Sequence, residues 1–126
     1  MRKFVDQFEK VAGSSPLVLS SHVEKQYGPS GDTVYLKGSL QFIDSSVLEF
    51  AVFAAASPEI TIDKYRYQYM KKDGRLIFRY DNAPHHPEVS SFPHHKHTSD
   101  KVAVSSMPVI KDILNEISTL ILQGRL

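Results

Sequence analysis

Phe4, Val5, Phe8, Val11 and Ala12 recur at the three- and four-residue spacing of one helical face, and the run stops at Gly13. A short amphipathic helix over residues 1–12 is therefore expected. After the break "GSSP" the period changes. The segments "LVLSSHVEKQY" and "TVYLKGSLQFI" mix β-branched and aromatic residues in rough alternation and are parted by "GPSGD", a turn composition. They read as two strands. "VLEFAVFAAA" is nearly all apolar, as a central strand covered on one or both faces would be, although the same run also suits a helix.

Alternation is clearest in "TIDKYRYQYMKKDGRLIFRYD", where Asp73-Gly74 supplies the residue pair of a two-residue type I′ hairpin turn. With Lys72 opposite Arg75, the register places Met70 against Ile77, Tyr69 against Phe78, Gln68 against Arg79, Tyr67 against Tyr80, and Arg66 against Asp81. One face then carries Tyr65, Tyr67, Tyr69, Phe78 and Tyr80, suited to packing against helices. The other carries Arg66, Gln68, Arg79 and Asp81.

From Asn82 to Lys101 periodicity disappears, and Pro84, Pro87 and Pro93 remove backbone donors. A long loop of this kind is commonly functional. After the short apolar stretch "KVAVSS", Ile110, Ile113, Leu114, Ile117, Leu120 and Ile121 form a helical stripe ending at Gly124, with Ser105 or Ser106 as cap and Pro108 in the first turn. The expected architecture is α+β in a single domain, residues 1–126. An antiparallel meander of about four to five strands over residues 17–81 carries the N-terminal helix and a C-terminal helix at 106–123 on one face, with a His/Pro-rich loop at 82–101.

The 126 residues suffice for one hydrophobic core, and 41% hydrophobic with 23% charged residues is the composition of a globular chain. There is no cysteine, which removes disulfides, thiolate metal sites and thiol nucleophiles and suits a cytoplasmic setting. The longest apolar run, Ala51 to Ala56, is far short of the roughly 20 residues of a membrane span, so no membrane association is expected. The formal net charge is only +1. Its distribution matters more: Lys64, Arg66, Lys71, Lys72, Arg75 and Arg79 face only Asp63 and Asp73 between Ile60 and Tyr80. The middle of the chain is a candidate anion-binding surface.

Directly after it, "RYDNAPHHPEVSSFPHHKH" holds five of the six histidines, His85, His86, His94, His95 and His97. Imidazoles can take or give protons near neutral pH, and Arg66, Arg79 and Lys96 can hold a phosphate. Those are the requirements of metal-free RNA cleavage: a base for the 2′-hydroxyl, cations on the pentacoordinate phosphate, and an acid for the leaving 5′-oxygen. Metal binding competes, because the histidines with Asp81 form a donor set that zinc, nickel or copper accepts. Neither an H-E-x-x-H helix nor paired cysteines accompany it. A non-catalytic surface for RNA or an acidic partner is the remaining reading. His22, alone on an early strand, is read as ordinary.

The segment "YRYQYMKKDGRLIFRYDNAPHHPEVSSFPHHKH", with its Y-x-Y strand, D-G turn, "FRYDNAPHHP" block and terminal "FPHHKH", resembles the TumE-like family of prokaryotic toxin-antitoxin toxins. The resemblance implies a toxin encoded beside an antitoxin with a helix-turn-helix DNA-binding domain, and toxicity through RNA. It carries the family's motif onto Tyr80, Asp81, Asn82, His85, His86, His94, His95, Lys96 and His97. The expectation is a type II toxin, a metal-independent endoribonuclease without cofactor. Its catalytic set comes from those residues, with Arg66, Arg79 and Lys96 on phosphate. A homo-oligomer is compatible with this layout.

Overall fold

The helical spacing at the start of the chain becomes α1 (Arg2–Ala12) in the computed structural model, which describes residues 1–124. Five strands follow in the region read as a meander: β1 (Val18–Tyr27), β2 (Thr33–Phe42), β3 (Val47–Ala56), β4 (Ile60–Met70) and β5 (Leu76–Asp81). Two more, β6 (His95–His97) and β7 (Val102–Val104), precede α2 (Ile110–Leu122). All seven join one antiparallel sheet in sequence order. The fold is α+β, but the expectation of four to five strands was too low. Three-residue strands among prolines and histidines show no alternation. They form because β5 would otherwise expose unpaired peptide groups: β6 covers that edge, with Arg79 opposite His97 and Asp81 opposite His95.

In the β4–β5 hairpin, Arg66 faces Asp81, Tyr67 faces Tyr80, Gln68 faces Arg79 and Tyr69 faces Phe78, as the alternation predicts. At the tip the register slips, and Met70 faces Leu76 instead of Ile77. The turn is not the two-residue type. Gly74 N–H donates to the Lys71 carbonyl at 2.9 Å, Lys71 N–H donates to the Arg75 carbonyl at 2.9 Å, and Gly74 takes φ +88°. This is a three-residue loop, a type I turn followed by a left-handed glycine, stabilised by Asp73 Oδ1 accepting the Arg75 N–H at 2.9 Å.

Both helices cover one face of the sheet. Val5, Phe8 and Ala12 of α1 and Ile110, Ile113, Leu114 and Ile117 of α2 are buried in one cluster with the inward residues of β2–β5. The Phe8 and Phe50 rings lie 5.3 Å apart. Gly38 permits this packing, since a Cβ there would collide with the His22 carbonyl and the Phe50 ring. Tyr65, Tyr67, Tyr69 and Phe78 are buried on this face. α2 starts at Ile110, later than the expected residue 106: Val109 is the extended N-cap and Asp112 accepts its N–H. Pro108 disfavours helical backbone at Met107 and sits before the helix. No described helix is long and apolar enough to cross a membrane.

Among the described residues, no helix lies on the other face of the sheet. Along its middle rows run Lys37, Ala51, Arg66, Asp81 and His95 on successive strands, with Gln68, Arg79 and His97 in the next row.

Candidate active site

Strand alternation sends Arg79 and Asp81 of β5 and His95 and His97 of β6 to the open face, and the connecting loop brings His85 and His86 over them. Together with Arg66 they line a cleft of about 420 Å³. Asp81 is its pivot. The carboxylate is buried and accepts Arg79 Nε–H at 3.1 Å through Oδ2 and Ala83 N–H at 3.0 Å through Oδ1. His95 Nε2 lies 2.9 Å from Oδ1, and His97 Nε2 lies 3.8 Å from Oδ2.

His95 is only 2% exposed. Its Nδ1 is 2.9 Å from the Pro93 carbonyl, so both ring edges are engaged and the orientation of the ring is fixed. His86, at 3.0 Å from Glu88 Oε1 through Nδ1, completes a group with His95 and His97. The three rings meet edge to face, with centroids 5.0, 5.2 and 4.7 Å apart. Burial, and then the positive charge of Arg79, hold His97 below the ordinary histidine pKa, with His95 and His86 acting in the same direction and Asp81 partly opposing them. Neutral His97 at pH 7 is suited to accept a proton.

Other residues singled out in the sequence lie elsewhere. Tyr80 and Lys96 are cross-strand partners on the helix-covered face. Tyr80 Oη–H donates to Glu116 Oε1 at 2.6 Å, and Lys96 Nζ donates to Glu116 Oε2 at 2.7 Å, joining α2 to the sheet. Glu116 and Tyr80 raise the Lys96 pKa despite the burial that opposes its charge. Asn82 serves the backbone: Oδ1 accepts the Tyr65 N–H at 3.1 Å, and Nδ2 donates to the Asp63 carbonyl at 3.0 Å. His94 turns away from its neighbour His95, with Nδ1 2.8 Å from Tyr65 Oη and its ring stacked on that tyrosine. Burial, and then the Asp81 charge, push the Tyr65 phenol up to about 12. The Glu116→Ala variant is expected to lose about 1–3 kcal/mol in urea unfolding, because two partly buried donors lose their acceptor. The chemistry of the cleft should be untouched.

Six cleft residues escaped the sequence reading of the site: Tyr35, Ala51, Phe53, Lys64, Tyr65 and Ala83. Lys64 stood out only as charge. Tyr35 and Phe53 are aromatic residues at outward positions of their strands, a signal that needs the β2–β3 register before it acquires meaning.

A family model described as "Toxin TumE" matches residues 8–121, nearly the whole chain. The chain belongs to the TumE toxin family. It is accordingly a toxin of a toxin-antitoxin system with an antitoxin as partner. No curated protein and no solved structure matches the chain. Within this TumE-family toxin, the "YDNAPHHP" and "FPHHKH" blocks thus fulfil two tasks. Asp81, His85, His86, His95 and His97 meet in the cleft, while Tyr80, Asn82, His94 and Lys96 tie the surrounding elements together.

Proposed function

We propose that this toxin cleaves RNA in the open-face cleft without a metal ion. The observation that carries the reading is the charge balance there: Lys64, Arg66 and Arg79 line the cleft with a single carboxylate, Asp81, which already accepts from Arg79 and contacts His95. A phosphate is attracted to such a surface, whereas a dication meets three repelling charges. Neutral His97 takes the 2′-hydroxyl proton, the 2′-oxygen attacks phosphorus, and Arg79 and Arg66 hold the pentacoordinate anion. His86 protonates the 5′-oxygen as the P–O5′ bond breaks, leaving a 2′,3′-cyclic phosphate and a 5′-hydroxyl. His95 and Asp81 are positioning residues for His97 and Arg79. The family resemblance assigns the antitoxin a helix-turn-helix DNA-binding domain.

The test is incubation with mixed-sequence RNA in EDTA across pH 5 to 9, with product ends identified. Cyclic-phosphate ends are the expected result; RNA left intact under every condition would turn the reading to a surface that binds without cleaving. A second reading has an observation in its favour. One ring nitrogen from each of His86, His95 and His97 lies within 4.8 Å of the others. Nδ1 of His86 faces Glu88 and that of His95 faces the Pro93 carbonyl, the kind of acceptor that orients a metal-bound imidazole through its other nitrogen. Activity absent in EDTA and restored by zinc or manganese would favour it.

A further inference from the structure

The same cleft extends past its charged end to two aromatic rings that the cleavage chemistry does not use. Tyr35 and Phe53 are direct cross-strand partners on the open face, and Phe53 is in turn paired with Lys64. All three line the cleft, and Tyr35 remains 42% exposed although its neighbours Val34 and Leu36 are fully buried. Between the rings and the guanidinium of Arg66 stands Ala51, the cross-strand partner of Arg66, whose small side chain leaves the floor low. From β3 to β5 is two strand spacings, about 10 Å. That is the reach of one nucleotide from its phosphate to the far edge of its base.

We infer that Tyr35 and Phe53 form a base-stacking subsite that makes this toxin selective for an unpaired nucleotide next to the scissile phosphate. The inference rests on the reading of the cleft as an RNA site. Aromatic rings beside cations on an uncovered sheet offer a stack to any base whose face is free, with the charge following the backbone. A base inside a duplex already has both faces covered. Arg66 and Arg79 meet the scissile phosphate on one side of the stacked nucleotide, and Lys64, the cross-strand partner of Phe53, meets the phosphate on its other side.

The experiment measures fluorescence anisotropy of a labelled 2′-O-methyl oligoribonucleotide, which lacks the attacking hydroxyl, as a single strand and as a duplex. The proteins are wild type, Tyr35→Leu, Phe53→Leu and Ala51→Leu, each checked by thermal melting. Tyr35→Leu, at the more exposed position, retains the test if Phe53→Leu unfolds. Loss of either ring should raise the single-strand Kd by about 5- to 100-fold, Ala51→Leu should weaken binding by filling the floor, and duplex should bind wild type more weakly than single strand. Equal binding of single strand and duplex, or wild-type Kd in both ring variants, would overturn the inference. Unchanged oligonucleotide affinity with weakened antitoxin binding would assign the rings to the antitoxin and overturn it too. Ring-dependent binding by a wild type that cleaves no RNA would leave the subsite standing and remove the cleavage reading. Cleavage by ring variants with unaltered Kd would do the reverse.

Discussion

Replacing His97 with alanine is expected to lower RNA cleavage by about 10²–10⁴-fold, the usual worth of a positioned acid or base, while the protein stays folded. The ring is part-buried on the open face, where Arg79, Asp81, His95 and His86 surround it. Because burial and Arg79 lower its pKa, the neutral form that accepts a proton persists below the ordinary histidine value of about 6.5. The acid limb of the kcat/KM profile should therefore lie below that value. The sign of the neighbouring charges gives a sharper check. Arg79→Gln removes a charge that lowers the His97 pKa and should move the limb upward. Asp81→Asn removes one that raises it and should move the limb downward. Both variants will be slower, since one loses a phosphate contact and the other a positioning residue. Limbs that stay in place in both variants would exclude His97 as the base.

The sequence yields the face on which this chemistry sits, because strand period and hairpin register suffice for it. Tyr67, Tyr69 and Phe78 fall to the helices and Arg66, Arg79 and Asp81 to the open side once Arg66 is set against Asp81. The slip at Met70 does not propagate, because a bulge between Tyr69 and Met70, with Ile77 as the extra residue on β5, cancels the offset that the three-residue turn introduces. Within "FPHHKH" the same logic was available only if the segment was known to be a strand. As loop residues, His94, His95, Lys96 and His97 looked equivalent. As a strand paired with β5, His95 and His97 share the open face with Asp81 and Arg79, and Lys96 must go to the opposite side with Tyr80. A three-residue strand has too few positions to display a period, so its alternation is legible only through its partner. A joint His94→Ala and His95→Ala change would consequently mix two environments, one at Tyr65 and one at Asp81.

The largest stability effect is expected at Asp81. Its carboxylate is the common acceptor for Arg79 and the Ala83 N–H, and it faces His95 across the β5–β6 pair. In the Asp81→Ala variant these groups keep their places with no acceptor among them. The cost is about 2–4 kcal/mol, below the upper range for broken buried pairs because the Arg79 side chain is 34% exposed and water can replace part of the contact. The loss should also be local. β6 has only three residues, and Asp81 with His95 is one of its three pairs to β5, so removing the carboxylate loosens the strand that carries His97. Hydrogen exchange should accelerate in β6 and β7 while amides of β2 and β3, ten residues long and paired on both sides, keep their protection. The double variant Asp81→Ala/Arg79→Met should recover part of the urea midpoint, because the guanidinium left without its partner is gone. Additive losses in that cycle, or exchange that rises equally across all strands, would mean that Asp81 does not hold the site together through Arg79 and β6. If recovery and localised exchange are both found, the cleft owes its shape to one carboxylate at the junction of the stable meander with its short edge strands.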